Sequence, residues 1–384
     1  MIATIILGFI IILLTWRWLQ FEPLPLGKRT TESQWSTKIN EIIHDLPSFI
    51  PTWLRVYAIG IVDTLSTVVW RRLVKANDIG QFLYTFKEKH EQSNRLCILT
   101  GGDSGIGLEI ARGLLEAGVK VIIASRSIEF AQKVKIQLGS DNMDFLIMDL
   151  TSFKSVYQFV DQVKKMIPKG GIDILINNAG IMNTPCHITS DNFESQFQTN
   201  CLSPFYLSLL LLPWMNKKDG RILFAASSTL HAASPRLDLS LVHKKYELDG
   251  LTHYAHSKLF VTILTQYLQN QLSQTNNNNI QVYCYHPGAV RTKLFSHTTL
   301  FTLPILSYLF DFIMLTPTEG AITPLYLCFA SFLQEEKRIS GRYWSSTVQQ
   351  PVPECDDLEH VEKIGKAALD FLDLTPSQME TFIH

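Results

Sequence analysis

The sequence has no excess of basic residues and no paired cysteines, and each absence excludes a class of protein. The 384 residues include 34 Lys and Arg against 35 Asp and Glu, so no basic surplus exists to neutralise the phosphates of a nucleic acid. The cysteines show neither a CxxC pair nor a metal-ligand spacing, which indicates buried thiols in a reducing compartment. No nucleic-acid partner, disulfide framework or metal site is expected. The six cysteines are Cys97, Cys186, Cys201, Cys284, Cys328 and Cys355.

Charged residues are also scarce, at 18% of the chain against 46% hydrophobic residues, and none lies between Met1 and Leu14. Crossing the hydrocarbon core of a bilayer takes about 20 helical residues. Residues 1–21 are therefore predicted to form an uncleaved membrane anchor, with Arg17 at the interface. A cleaved signal peptide is the alternative, although it would normally begin with basic residues and end in small ones. Basic residues follow the anchor on its carboxyl side only, which places the rest of the chain in the cytosol.

Residues 22–92 carry no catalytic motif and are predicted to be a linker with an apolar helix around residues 56–70. Asp63 at its centre would be costly within a bilayer. An interfacial or re-entrant helix is favoured, and a second membrane span stays open as the alternative. In the favoured reading the basic residues of this region lie at the lipid headgroups: Arg55, Arg71, Arg72 and Lys75.

From Arg95 onward, short apolar runs alternate with amphipathic stretches. The alternation predicts a parallel sheet covered by helices on both faces, a doubly wound α/β fold of the Rossmann type. It forms a single catalytic domain over residues 93–350, followed by an amphipathic tail helix within 351–384. The predicted strands are 96–100, 119–125, 145–148, 172–177, 221–225 and 280–285. The predicted helices between them are 107–117, 153–166, 193–214 and 254–272.

Glycines 101, 105 and 107 follow the first strand and open a helix. Such glycines allow a tight turn and a close approach of backbone to a dinucleotide pyrophosphate. A purely structural turn is the alternative. At the end of the second strand, where an NAD-specific site carries a carboxylate, the chain has Ser125 and Arg126. Arg126 can pair with a 2′-phosphate, so the predicted cofactor is NADP(H), with a solvent-facing arginine as the alternative.

Tyr254 and Lys258 are four residues apart, which places them on one face of a helix. An ammonium beside the phenol favours tyrosinate and is expected to lower a pKa that starts near 10. Tyr254 would then act as a general acid in reduction or a general base in oxidation. A surface pairing without catalytic meaning is the alternative.

The glycine turn is followed about 150 residues later by the Tyr254 and Lys258 pair. With these motifs in this order, residues 95 to about 345 resemble the short-chain dehydrogenase/reductase family, and are closest to its membrane-anchored retinol dehydrogenase-like branch. The resemblance implies a catalytic set of Asn200, Ser228, Tyr254 and Lys258, with Ser228 taken as the second serine of an adjacent pair. Lys258 would also bind the nicotinamide ribose, Ser228 would contact the substrate oxygen, and Asn200 would position a water. The implied cofactor-binding residues are Thr100, Gly101, Ser104, Gly105, Ile106, Gly107, Ser125, Arg126, Asp149, Leu150, Asn177, Ala179, Gly180, Tyr254, Lys258, Pro287, Gly288, Val290 and Thr292.

The sequence therefore predicts an NADP(H)-dependent oxidoreductase that transfers hydride to or from a lipophilic ketone, aldehyde or alcohol of the sterol, retinoid, sphingoid or fatty class. The apolar stretch 300–315 is expected to be a substrate lid that contacts membrane lipid, and a lid that merely covers the core is the alternative. The endoplasmic reticulum membrane or the lipid droplet is the expected location, and a homodimer is open. Two alternatives remain, a catalytically silent tether that senses NADP(H) and a dehydrogenase of soluble sugars or small alcohols.

Overall fold

The computed structural model describes residues 50–73, 95–234, 239–243, 248–275, 279–292, 294, 314–329, 340–345 and 347–383. The predicted anchor of residues 1–21 lies outside the described residues. So does nearly all of the predicted lid, of which only Met314 and Leu315 are described.

An eight-stranded sheet forms the centre of the chain, with the strand order β3-β2-β1-β4-β5-β6-β7-β8. All neighbouring pairs are parallel except β7 and β8, which are antiparallel. Every residue of β1 and β4 is buried, as expected of strands covered on both faces. The strands are β1 (Leu96–Thr100), β2 (Lys120–Ser125), β3 (Met143–Ile147), β4 (Ile174–Asn177), β5 (Arg221–Ala225), β6 (Gln281–His286), β7 (Tyr343–Ser345) and β8 (Val348–Gln350).

Helices connect and cover these strands. The sequence did not predict the helices Ile128–Leu138, Pro317–Gly320, Ile322–Phe329, Pro353–Asp356 and Pro376–Ile383, or the two short strands Tyr343–Ser345 and Val348–Gln350. Three-residue and longer 3-10 segments lie at Leu212–Trp214, Ser228–Ala232 and Leu239–His243, and a π-helical turn lies at Gln198–Leu202. The α-helices are α1 (Thr52–Leu73), α2 (Gly105–Glu116), α3 (Ile128–Leu138), α4 (Phe153–Val163), α5 (Ser195–Phe197), α6 (Ser203–Leu211), α7 (Gly250–Ser273), α8 (Pro317–Gly320), α9 (Ile322–Phe329), α10 (Pro353–Asp356), α11 (Leu358–Phe371) and α12 (Pro376–Ile383).

The strand order reverses between β1 and β4. The chain moves outward from β1 through β2 to β3, then returns to the other side of β1 as β4. Ligands of open α/β sheets bind in the crevice beyond the carboxyl ends of the strands at such a reversal. The turns after Thr100 and after Asn177 therefore meet at one edge of the sheet, and this edge positions the site.

Helices at both ends of the described chain share the main hydrophobic core. On α11, Val361, Ile364 and Ala368 are buried, and the helix packs on α7. On α1, Val56 and Ile59 lie in the same core. These residues of both helices are thus packed against protein.

Within α1, the placement expected for Arg55 at lipid headgroups is wrong. Its side chain is buried, at 9% exposure, and donates a hydrogen bond to the Ile50 carbonyl. Among the helices that the structure describes, none is long and apolar enough to span a membrane.

Candidate active site

The glycine turn after β1 is hydrogen-bonded to the segment that follows the neighbouring strand β4. Gly101 has a φ of +64°, a conformation that residues with a Cβ rarely adopt. The Thr100 hydroxyl accepts hydrogen bonds from the backbone N–H groups of Asn178 and Ala179, both at 3.0 Å. The Asn178 amide donates to the carbonyl oxygens of Thr100 and Gly101. Asn178 thus holds the turn in shape, a role that the sequence motif did not reveal.

Helix α2 begins at this turn, with Ser104 as its N-cap residue. A Cβ added at Gly107 would lie 2.0 Å from the Gly101 carbonyl oxygen and 2.7 Å from the Asn178 amide nitrogen. The helix therefore approaches the turn as closely as a glycine allows. The first N–H groups of a helix have no partner within the helix and carry partial positive charge, so this end suits the phosphates of a dinucleotide.

The end of β2 presents both a basic and an acidic group. Arg126 is exposed, as a residue that meets a 2′-phosphate must be. The Ser125 hydroxyl donates a hydrogen bond to the carboxylate of Asp103, which comes from the glycine turn. A carboxylate is the group with which NAD-specific sites bind the ribose. Sequence reasoning missed Asp103, because it lies 22 residues before Ser125 and only the fold brings the two together.

Tyr254 and Lys258 lie near the start of α7, whose first N–H groups are capped by the Asp249 side chain. Both residues are buried, at 3% exposure each. The Lys258 ammonium lies 5.5 Å from the centroid of the Tyr254 ring and donates a 2.7 Å hydrogen bond to the carbonyl oxygen of Ala225, at the end of β5. The two side chains are thus adjacent in a buried site, and their spacing is not a surface pairing.

The predicted lowering of the Tyr254 pKa by Lys258 is wrong for the protein groups alone. Burial raises the pKa of Tyr254 to about 12, and contact with the Ser227 side chain acts in the opposite direction. Burial also lowers the pKa of Lys258 to about 8. Both shifts have the same physical cause, since a low-dielectric interior disfavours the charged form of either group. Desolvation is therefore the largest influence on the pKa of each group.

Two adjacent serines, Ser227 and Ser228, lie just after β5, and a side-chain hydrogen bond of Ser227 acts to lower the pKa of Tyr254. Ser227 immediately precedes the 3-10 helix Ser228–Ala232, and its hydroxyl also accepts a hydrogen bond from the Thr229 N–H. It contacts the Tyr254 side chain. Ser228 is buried as well, at 9% exposure. The family resemblance selects Ser228, the second serine of the pair, and that assignment stays a prediction beside Ser227.

Asn200 lies in the π-helical turn Gln198–Leu202. Its side-chain oxygen accepts from the Ile181 N–H at 2.9 Å, and its amide donates to the Ile181 carbonyl and to the Ser257 hydroxyl. Ser257 in turn donates to the Tyr254 carbonyl, which ties Asn200 to α7. Pro204 comes directly after this π-helical turn, within a helical stretch that continues into α6.

Gly180 lies between the polar groups of the site. A Cβ added there would be 3.2 Å from the Asn200 side-chain oxygen and 3.6 Å from the Lys258 nitrogen. The strand-end motif and the catalytic helix therefore converge at this point. Asn177 plays another part, because its amide donates to Ser208 on α6 at 3.1 Å, so it braces a helix against the sheet.

The remaining predicted residues lie at the same edge of the sheet. The Asp149 carboxylate accepts from the N–H and hydroxyl of Thr151, and the Leu150 carbonyl accepts from Ser203. After β6, Gly288 has a φ of +88°. A Cβ added at Gly105 would lie 3.3 Å from the Thr292 methyl group. Val290 packs with Ile106 of α2, so the turn after β6 packs against the glycine turn and the start of α2.

Comparison with known proteins identifies dehydrogenases and oxidoreductases as relatives of this chain. Residues 95–300 match the family model of the short chain dehydrogenases. The chain is 32% identical to human polyprenol dehydrogenase over 300 residues, covering 76% of this chain and 86% of that one. It is 30% identical to human retinol dehydrogenase 13 over 278 residues, covering 70% and 81%. A protein of Schizosaccharomyces pombe described as an uncharacterized oxidoreductase is 32% identical over 285 residues, covering 70% and 82%.

Solved structures share the fold. An uncharacterized protein from Mycobacterium paratuberculosis superposes with a TM-score of 0.58 at 26% identity, covering 73% of this chain and 94% of that one. A short chain dehydrogenase from Shigella flexneri, solved in complex with NADP, superposes with a TM-score of 0.50 at 22% identity, covering 67% and 98%.

The glycine turn at the strand reversal, the buried Tyr254 and Lys258 pair and these relatives lead to one conclusion. This chain is an oxidoreductase of the short-chain dehydrogenase/reductase family, on its retinol dehydrogenase-like branch, and its cofactor is a nicotinamide dinucleotide.

Proposed function

We propose that the chain transfers hydride between NADP(H) and a lipophilic alcohol or carbonyl compound, with Tyr254 as the proton donor or acceptor. The observation that carries the proposal is the burial of the Tyr254 phenol beside the Ser227 hydroxyl and the Lys258 ammonium. This trio stands beside Gly180, at the edge of the sheet where the glycine turn begins α2. A proton donor and a dinucleotide turn are thus combined at one crevice.

The residues of the crevice fit a nicotinamide dinucleotide. The turn at Gly101 and the close approach at Gly107 leave room for backbone against pyrophosphate. The start of α2 offers N–H groups to the phosphates. Lys258, whose ammonium is 2.7 Å from the Ala225 carbonyl, is proposed to bind the nicotinamide ribose. A bound cofactor of this class supplies or accepts the hydride.

The protein groups handle the proton. Tyr254 holds its proton firmly at neutral pH, because burial raises its pKa to about 12. That state is the one required to protonate the oxygen of a carbonyl compound during reduction. Ser227 donates a hydrogen bond to the same oxygen as negative charge develops there. Lys258 supports the phenolate that remains, since its positive charge opposes the cost of desolvation.

Replacing Ser227 with alanine is expected to lower kcat by about 100-fold, because one hydrogen bond to the developing oxyanion is lost. Ser228→Ala removes the same hydroxyl from the adjacent buried residue that the family resemblance selects, so the two variants together decide which serine contacts the substrate oxygen. Both variants are measured by the loss of NADPH absorbance with one carbonyl substrate. A large loss in Ser228→Ala with full activity in Ser227→Ala would reverse the assignment.

The choice between NADP(H) and NAD(H) depends on two groups that act in opposite directions. Arg126→Ala is expected to weaken NADPH binding about 10- to 100-fold, because a charge-assisted hydrogen bond to the 2′-phosphate is lost. Asp103→Asn is expected to strengthen NADPH binding about 3- to 10-fold, because a like charge is removed near that phosphate. Titration calorimetry with NADPH and NADH side by side measures both variants. Equal NADPH affinity in wild type and Arg126→Ala would contradict NADP(H) as the cofactor.

The proposed substrate is lipophilic, of the sterol, retinoid, sphingoid or fatty class. Two named relatives are dehydrogenases of apolar alcohols, polyprenol and retinol. In addition, the stretch 300–315 that follows the turn after β6 in the sequence is strongly apolar. The proposal includes membrane contact at the endoplasmic reticulum or the lipid droplet through residues 1–21, with the active site facing the cytosol.

The test is a screen of retinal, a polyprenal, a sterol ketone and a long-chain aldehyde in detergent with NADPH, against small sugars and short alcohols with NADP. Turnover of the apolar compounds supports the proposal. Turnover of the soluble compounds alone would contradict the lipophilic substrate class and support a dehydrogenase of soluble sugars or small alcohols.

A further inference from the structure

Helix α1 lies against the active site although it precedes the family's core region in the sequence. It packs on the 3-10 helix Ser228–Ala232 and on α7. Its buried residues Val56 and Ile59 belong to the same core as Leu230 and Tyr254. This face of α1 is therefore fixed against α7, which carries Tyr254, and against the 3-10 helix that begins directly after Ser227.

A polar contact joins α1 to the turn that follows β6. The Asp63 carboxylate lies 2.8 Å from the Nε2 atom of His286. The Asp63 side chain is 15% exposed and the His286 side chain 5%. Within the stretch 52–70, Asp63 is the sole acidic residue. A carboxylate is rarely placed in such a poorly hydrated position without a partner, so the contact explains why an apolar helix carries this one acid.

His286 is the last residue of β6 and directly precedes Pro287 and Gly288. The turn formed by residues 287–292 reaches the glycine turn, because the Thr292 methyl group faces Gly105 and Val290 packs with Ile106. The chain of contacts thus runs from Asp63 through His286 to the wall of the crevice where the nicotinamide end is proposed to bind.

Asp63 and Tyr254 both act electrostatically on one buried side chain, Tyr343 of β7. Burial raises the pKa of Tyr343 on β7 well above its usual value, and the charges of Asp63 and Tyr254 raise it further. Tyr57 of α1 lies near the start of α7. Burial raises the pKa of Tyr57, and the charge of Asp249, the N-cap residue of α7, raises it further. Helix α1 therefore lies beside both the start of α7 and the end of β6.

We propose that α1 completes the active site, with Asp63 as a positioning residue that acts through His286 on the turn of residues 287–292. The inference rests on the proposed function, since the turn matters because it borders the nicotinamide. Loss of the contact frees the turn to move. A small misplacement of a reacting group lowers the rate of the chemical step much more than it lowers binding.

The experiment compares Asp63→Ala, His286→Ala and the double variant in the full chain, with Thr64→Ala as the control. Thr64 is the next residue of α1, and its hydroxyl bonds the Gly60 carbonyl of the same helix. Asp63→Ala is expected to lower kcat about 10- to 100-fold, with little change in KM for the carbonyl substrate. His286→Ala and the double variant are expected to show the same loss, because both remove one shared contact. Asp63→Asn, which can still hydrogen-bond His286, is expected to recover part of the rate.

A structural role alone would change the amount of folded enzyme and its melting temperature, but not kcat per folded molecule. Full kcat in folded Asp63→Ala, or additive losses in the double variant, would overturn the proposal. Amide hydrogen exchange of the segment around residues 287–292 provides a readout that needs no substrate. If the wild-type chain turned over no carbonyl compound, the proposed function would fail. The contact would then still be judged by whether Asp63→Ala, but not Thr64→Ala, speeds exchange in that segment.

Discussion

Replacing Tyr254 with phenylalanine is expected to lower kcat by about 10³- to 10⁴-fold, because the proton donor of the reaction is removed. The phenol is buried at 3% exposure, so water has little access to take its place. The ring stays and keeps its packing in the main core, and NADPH affinity is expected to be nearly unchanged. The measurement is single-turnover consumption of NADPH with a saturating lipophilic carbonyl compound.

Tyr267→Phe is the matched control. Tyr267 lies on the same helix and is equally buried, at 3% exposure, and its hydroxyl contacts the Met379 sulfur at 3.6 Å. Its loss is expected to affect stability slightly and kcat hardly at all. If Tyr254→Phe supports the full function of the protein in cells, the oxidoreductase reading of its role fails. The alternative of a catalytically silent tether that senses NADP(H) would then stand.

Replacing Gly107 with alanine is expected to abolish measurable nucleotide binding and to destabilise the fold by about 1–3 kcal/mol or more, through overpacking. The new Cβ would lie 2.0 Å from the Gly101 carbonyl oxygen. That oxygen is backbone in a tight turn and cannot rotate away, so α2 must move off the turn. The helix end would then no longer present its N–H groups to the pyrophosphate. Thermal unfolding and NADPH titration of the purified chain measure both effects.

Gly60→Ala provides the control, since Gly60 is also helical and a Cβ there meets nothing within 4 Å. Alanine is favoured over glycine within a helix by about 1 kcal/mol, so this variant is expected to be as stable as wild type or more stable. Should Gly107→Ala bind NADPH normally, the phosphates cannot lie at the start of α2. The proposed orientation of the cofactor would then have to be abandoned.

Much of the site follows from short-range sequence patterns. The spacing of Tyr254 and Lys258 predicts a shared helix face, because an α-helix brings residues four apart to the same side. Alternating apolar runs predict the parallel sheet, and glycines after an apolar run predict the turn at the end of β1. These predictions hold because each depends on local geometry, which a few neighbouring residues determine.

Long-range contacts were beyond such reasoning. The pairing of Asp63 with His286 joins residues 223 positions apart, and the bond from Ser125 to Asp103 joins the end of β2 to the turn after β1. The sequence also led to a lowered pKa for Tyr254. The neighbouring lysine is visible in the sequence, whereas the extent of burial that raises the pKa to about 12 is not.

The sequence by itself determined the family and the doubly wound parallel sheet, and it predicted the residues that are proposed to bind the dinucleotide and move the proton. Only the tertiary structure showed that Ser227 hydrogen-bonds Tyr254, that a carboxylate meets the end of β2, and that α1 packs against α7 and the 3-10 helix Ser228–Ala232. The reason is physical. Periodicity and turn chemistry act between neighbours along the chain, whereas desolvation and the facing of side chains arise when distant segments pack together.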